Sequence, residues 1–194
     1  TGSTFGAGDA LLLGLADECD GEAPAATLDA ADWLYCYAEP DAAFANLHLE
    51  TRHSYFVVHS MMAAVVCARL ALARGYSEQA RARLISAALT HDFGIIDLQR
   101  QINHDTGLTP EQTARIRQHG SESVRMLRKF GIDDPVWLNT IEDHHEYLDG
   151  SGYAGKQEAE IAEPARILAI ADAISAMSAW LMPSSPSAGA LPMT

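Results

Sequence analysis

The residues best equipped for chemistry run together in the second half of the chain, as His144-His145-Glu146-Tyr147-Leu148-Asp149-Gly150-Ser151-Gly152-Tyr153. Imidazoles are good ligands for zinc, iron and manganese. Neighbouring helical residues point about 100° apart, so both rings can reach one ion only where a helix ends or bends. Gly150 and Gly152 supply such an ending. Further polar residues interrupt apolar stretches elsewhere. His59 lies between Val57-Val58 and Met61-Met62, His91-Asp92 follows Ala87-Ala88-Leu89, His119 follows at a third place, and Asp172 breaks the run Ile167 to Ile174. A single histidine on an apolar face is usually a hydrogen-bonded core residue, and Asp172 alone would be a satisfied buried carboxylate. Five elements doing the same thing weaken that reading, because burying ionisable groups is costly unless they are paired or bound to metal. The set holds enough donors for two metal ions sharing one carboxylate. The other histidines, His48, His53 and His104, read as surface or loop residues.

The elements that must position these groups are helical. Tyr55 to Arg74 is rich in alanine and good helix formers, with Gly75 as a stop. Ser77 opens a second helix with Glu78 in its first turn, running to about Asp92 before Gly94 breaks it. Thr109-Pro110-Glu111 is a start signal for a helix toward His119, and another continues from Ser121 to Lys129. Asp134-Pro135 opens a helix ending near His145. Glu163-Pro164 opens the last, to about Leu181, with Ile167, Leu168, Ile170, Ala171, Ile174 and Met177 on one broad apolar face. No segment alternates with period two, so strands are limited to a short hairpin around 150–162. The tail 183–194, rich in Pro, Ser, Gly and Ala, reads as disordered.

Composition sets limits. The chain has 194 residues, 48% of them hydrophobic and 20% charged, which suits one soluble globular domain. Its three cysteines, Cys19, Cys36 and Cys67, form no CxxC, so neither a disulfide framework nor a cysteine zinc site is indicated. A reducing, cytoplasmic setting is the expectation. The run Tyr55 to Leu72 carries His59, Ser60 and Arg69, which predicts a buried helix and no membrane span. No signal peptide is expected, and the start without methionine reads as a trimmed one. Of the net charge of −13, residues 1–50 contribute −10, with ten acids and no Lys or Arg. That excess argues against a nucleic-acid polymer as partner, since phosphate backbones are held by basic patches. The acidic segment 1–50 reads as a solvated face or linker, although Leu11 to Leu15 and Trp33 to Tyr37 are apolar enough to form short docked helices.

Taken together, His59, His91-Asp92, His119, His144-His145-Glu146, Asp149-Gly150-Ser151-Gly152-Tyr153 and Asp172 resemble the HD-GYP group of the HD superfamily of metal-dependent phosphohydrolases. The similarity covers about residues 55–180, with Ala165 to Ala173 similar to the family's last core helix; the domain boundaries expected are 51–182. The resemblance implies an all-α HD-domain bundle with a buried binuclear site, two divalent ions of iron or manganese, and zinc as a further option. It implies hydrolysis of cyclic di-GMP, or a related small phosphoester, by a metal-bridged hydroxide in bacterial signalling. On the matching positions, His59, His91, Asp92 and Asp172 would hold one metal; Asp92 would bridge to a second, held also by His119, His144 and His145. Asp92 and Asp149 are the expected catalytic carboxylates, and Gly150, Gly152, Tyr153 and Arg166 the expected substrate contacts. Asp149 and Glu146 could orient ligand histidines; alternatively, Asp149 caps the glycine-rich turn.

The sequence also departs from the family pattern. His91-Asp92-Phe93-Gly94-Ile95 has isoleucine where the family has a phosphate-facing lysine, and Gly152-Tyr153-Ala154 replaces Gly-Tyr-Pro. Tyr55 stands where some members place a glutamate for a third metal, which favours two. Leu181-Met182-Pro183-Ser184 occupies the region of an expected arginine and tyrosine. Charge-assisted contacts to phosphate are each worth roughly 1.5–3 kcal/mol, so losing two weakens substrate binding without touching the metals. Three readings follow: a phosphodiesterase, a slow or inactive relative acting as a cyclic-dinucleotide sensor or signalling module, and a plain helical domain without metal. A homodimer or an upstream regulatory domain is the expected kind of partner.

Overall fold

The computed structural model describes residues 55–99 and 107–180. The acidic segment 1–50, the tail 183–194, the region Leu181 to Ser184, Cys19, Cys36, His48, His53 and His104 lie outside the described residues. Among the described residues seven helices follow in order: α1 (Tyr55–Ala73), α2 (Glu78–Thr90), α3 (Ile96–Gln99), α4 (Pro110–Arg117), α5 (His119–Lys129), α6 (Pro135–Glu142) and α7 (Glu163–Trp180). Short 3-10 turns occupy Phe93–Ile95 and Glu158–Glu160.

Local chemistry explains most boundaries. The Ser77 hydroxyl accepts from the Ala80 amide at the start of α2. Thr109 and Gln112 exchange side-chain and backbone hydrogen bonds in a reciprocal cap, followed by Pro110 at the first helical position. Asp134 accepts from the amides of Val136 and Trp137 at the start of α6. One stop and one start differ from the sequence expectation. α2 ends at Thr90, which leaves His91-Asp92 in a turn, and α5 begins at His119 and not at Ser121. His119 therefore opens a helix instead of closing one, after a break at Gln118.

α1 packs against α2 and α7, while α6 lies across α2 and meets α5 and α7. The core between them is built from small residues of α1 (Ala63, Ala64, Cys67, Ala68, Ala71) and larger ones of its neighbours (Leu84, Leu89, Leu127, Trp137, Ile141, Leu168). Such a run of small side chains lets helices approach closely with dense packing. By length and composition α1 could cross a bilayer, but 67% of Phe56–Ala73 is buried inside the bundle, so it is the core helix of this fold. Cys67 is a free, buried thiol whose ionisation is suppressed by burial.

Two expectations are corrected here. Among the described residues no strand occurs; residues 150–162 form turns and the 3-10 segment, because closely spaced glycines and polar side-chain caps replace a ladder. The apolar face of α7 is split. Ile167, Leu168 and Ala171 enter the core, whereas Ile170, Ile174 and Met177 are 52%, 38% and 60% exposed. Helix α7 packs into the core along one stripe, and these three side chains stay largely outside it.

Candidate metal centre

Five separate elements deliver donor atoms to one interior place. α1 carries His59 in its first half, the end of α2 is followed by His91-Asp92, and α5 opens on His119. The turn after α6 holds His144 and His145, and α7 carries Asp172. His59, His91, Asp92, His119 and His144 are buried, and His145 and Asp172 partly so. His144 and His145 sit just beyond the last turn of α6, where adjacent rings escape the helical angle between neighbours.

The donors fall into two groups that share Asp92. Asp172 Oδ1 lies 3.0 Å from His59 Nε2 and 3.6 Å from His91 Nε2. Asp92 Oδ2 lies 3.5 Å from each of those two nitrogens, and its Oδ1 is 3.3 Å from His119 Nε2. His119 Nε2 in turn is 3.0 Å from His144 Nε2. Within His59/His91/Asp172, and again within His119/His144/His145, the donor atoms all lie within 4.8 Å of one another. The two oxygens of Asp92 thus face two clusters, the disposition a bridging carboxylate requires.

Ring orientation shows what these clusters suit. The Nδ1 atoms of His91, His119 and His144 lie 2.7, 2.6 and 2.6 Å from the carbonyls of Ala88, Ile116 and Ile141. A carbonyl only accepts, so each Nδ1 carries a proton and each ring turns its Nε2, the atom free to bind a cation, inward. These carbonyls are available because they lie in the last turns of α2, α4 and α6, where no amide four residues on claims them. His59 lies within a helix, where the carbonyls are claimed by its own ladder, and its ring takes a side-chain partner instead. Its Nδ1 meets the Ser175 hydroxyl at 2.7 Å, and that hydroxyl donates to the Asp172 carbonyl at 3.1 Å. His59 Nδ1 is therefore the donor, and its Nε2 also points inward. The result is a pocket of inward Nε2 atoms. His119 and His144 aim theirs at each other, and the fully buried His91 Nε2 has no hydrogen-bond partner. Burying such an atom without a partner is costly, and cations between the clusters remove the cost. The donor set fits two divalent ions.

Charge differs across the pocket. Burial would push the carboxyls of Asp92 and Asp172 up, but neighbouring imidazoles reverse this and hold both below the usual carboxylate range, Asp172 well below. Burial opposes protonation of His91, yet Asp92 and Asp172 outweigh it and raise the ring to about 9. Burial and the adjacent rings hold His144 well below its ordinary value, and burial holds His145 down to about 4 despite the pull of Asp172.

Several positioning groups surround the donors, and apart from Gly94 they carry no sequence signature. The buried Ser123 hydroxyl sits 2.6 Å from the His91 carbonyl and 2.8 Å from the His119 carbonyl, and accepts from the Gly94 amide at 2.8 Å. It ties the His91-Asp92 turn to the start of α5. Gly94 is required by this approach, since a Cβ there would lie 2.5 Å from the His119 carbonyl oxygen. Trp137 Nε1 donates to Thr90 Oγ1 at 2.9 Å, fixing α6 to the end of α2. Ser175 is a fourth such group. A serine in an apolar helix has many explanations; only the fold shows which ring it meets.

The remaining expected residues are placed differently. The orienting role expected of Asp149 and Glu146 falls to backbone carbonyls and Ser175. The exposed Asp149 carboxylate accepts from the amide and hydroxyl of Ser151, so it caps the turn. Glu146 accepts from the amides of Ala154 and Lys156 and clamps the loop shut. Gly152 packs against that clamp, where a Cβ would come within 2.5 Å of Glu146 Cα, and Gly150 takes φ 79° in the same turn. Arg166 binds the Ile161 carbonyl and the Glu158 backbone and side chain, stapling the loop rather than facing the donors. Of the four expected substrate contacts, it is Tyr153 that packs on a donor ring, its centroid 4.7 Å from that of His145. Ile95 is buried with Leu98, Leu108 and Ile116, a packing position.

Comparison with known proteins agrees with this architecture. The chain matches the HD domain over residues 56–177. It is 32% identical over 131 residues to the 3'3'-cGAMP-specific phosphodiesterase 1 of Vibrio cholerae, covering 66% of this chain and 30% of that protein. It is 29% identical over 142 residues to the cyclic di-GMP phosphodiesterase PA4108 of Pseudomonas aeruginosa, covering 71% and 34% respectively. The chain therefore spans about a third of the length of these curated relatives. Among solved structures, Bd1817, a HDG"Y"P protein from Bdellovibrio bacteriovorus, shares the fold with a TM-score of 0.61 at 20% identity, over 77% of this chain and 54% of that one. With the family matched over most of its length and the histidine–aspartate pocket at the centre of the matched region, the chain belongs to the HD domain family.

Proposed function

We propose that this chain is the hydrolytic core of a metal-dependent phosphodiesterase acting on a cyclic dinucleotide, cyclic di-GMP or 3'3'-cGAMP. The observation that carries this reading is the set of inward Nε2 atoms around a carboxylate facing both clusters. The substrate class is supported by the activities named for the relatives. Two divalent ions, iron or manganese with zinc also compatible, would be held by His59, His91 and Asp172 on one side and His119, His144 and His145 on the other, with Asp92 between. Such ions supply Lewis acidity toward a phosphoryl oxygen and lower the pKa of water toward neutrality.

The chain's own groups do the rest. The carbonyls of Ala88, Ile116 and Ile141 and the Ser175 hydroxyl hold the Nδ1 protons outward, so no ring must turn when ions enter. Burial of the donors keeps bulk water from competing for them. Tyr153, packed on the His145 ring, is the expected substrate contact that stands beside the donors. Its proposed setting is cytoplasmic signalling, with an upstream regulatory domain or a second copy of the chain as partner.

Anaerobically purified protein should hold about two ions per chain and convert a cyclic dinucleotide to the linear form with Mn²⁺ or Fe²⁺ present. Fewer than one ion per chain would overturn the assignment. A binding-only relative is the second reading, favoured by Ile95 being buried and Arg166 being engaged by the loop. Binding without linear product would establish it.

A further inference from the structure

The pocket's own donors are imidazoles and carboxylates, so positive charge for an anionic phosphodiester would come from the ions they hold and from cations on the rim. Five of the eleven described Lys and Arg side chains are ion-paired: Arg74 with Glu163, Arg83 with Asp134, Arg125 with Glu122, Lys156 with Asp143 and Arg166 with Glu158. Arg117 differs. It is exposed, has no carboxylate partner among the described residues, and stands with its guanidinium carbon 4.8 Å from the centre of the Tyr153 ring. Tyr153 in turn stacks on His145 at 4.7 Å with the planes 32° apart. His145, Tyr153 and Arg117 thus form a column of flat groups leading from the His119/His144/His145 cluster to solvent. Arg115 shares the same last turn of α4, so favourable interaction with the helix end does not explain why Arg117 is the one held over the ring.

A cation resting on an aromatic face keeps its N–H donors unspent at the edge, whereas an ion pair would consume them. We infer that Arg117, steadied by Tyr153, is a substrate-contacting residue that donates to a phosphate oxygen of a ligand seated at the His145 side of the pocket. The inference rests on the phosphodiester reading above.

The test uses the metal-loaded chain and two probes, a cyclic dinucleotide and inorganic phosphate as a competing or directly titrated anion. Arg117→Ala should raise KM for the dinucleotide, and the Kd for phosphate, by about tenfold to a hundredfold. The kcat should change much less, and metal content and Tm should hold. Arg117→Lys should recover much of the loss, and Arg128→Ala, on the far end of α5, should change nothing. An unchanged phosphate Kd in Arg117→Ala, or a loss matched by Arg128→Ala, overturns the inference. If the unaltered protein neither binds nor cleaves cyclic dinucleotides, the phosphodiester reading fails, while the phosphate titration still decides the role of Arg117.

Discussion

The two halves of the pocket are built from the same ring type yet behave as opposites. Around Asp172, a carboxylate lies beside His59 and His91, and His91 is raised to about 9. Around His119, rings face one another, His144 is held well below its ordinary value, and His145 is held down to about 4. The first half holds positive charge between two carboxylates. In the second, a proton on His144 or His145 meets burial and neighbouring imidazoles, and Asp92 supplies the carboxylate oxygen that faces this half.

The largest test is the shared ligand. Asp92→Ala should reduce occupancy from about two ions to one or fewer and bring hydrolysis to background, read by elemental analysis and turnover. Two ions retained would break the division into halves.

Next in size is Ser175→Ala, which frees His59 to turn. Loss of a group that orients a ligand typically costs about 10- to 100-fold in metal affinity. The weakening should fall on the ion of the carboxylate half, seen as earlier release of one ion in a chelator titration. Ser175→Thr, which keeps the hydroxyl, should restore it. Equal weakening of both ions would blur the comparison.

The smallest effect is on pH. In metal-free protein, His91 is raised from 6.5 to about 9, so its stabilising contribution is complete below pH 6.5 and lost as pH rises through 9. His145, lowered to about 4, works the other way: its neutral ring becomes a penalty as pH falls below 6.5. Metal-free protein should therefore melt highest near pH 6.5 and lose several degrees by pH 9. Loaded protein should not show the alkaline loss, because cations replace the proton. A flat metal-free profile would remove the asymmetry.

Much of this site was legible before the fold. Histidines and aspartates set into apolar runs stood out by type, and all seven expected donors, His59, His91, Asp92, His119, His144, His145 and Asp172, come together. The helices were legible from caps such as Ser77, Thr109 and Asp134, where local chemistry decides. What stayed hidden depends on contacts between distant segments. Ser123 and Ser175 act through partners 32 and 116 residues away. Asp149 and Arg166 looked functional by type, but nearby groups of the same loop claim them. The apolar pattern of α7 overstated burial, because periodicity reports a face and not how much of it finds cover.

One consequence of the outward Nδ1 bonds concerns inheritance. Three rings take their aim from main-chain oxygens, which every residue type supplies, so drift at positions 88, 116 or 141 leaves that aim intact as long as the helix ends there. His59 takes its aim from a side chain. The geometry of the constellation is thus guarded by grammar at three corners and by a single replaceable letter, Ser175, at the fourth.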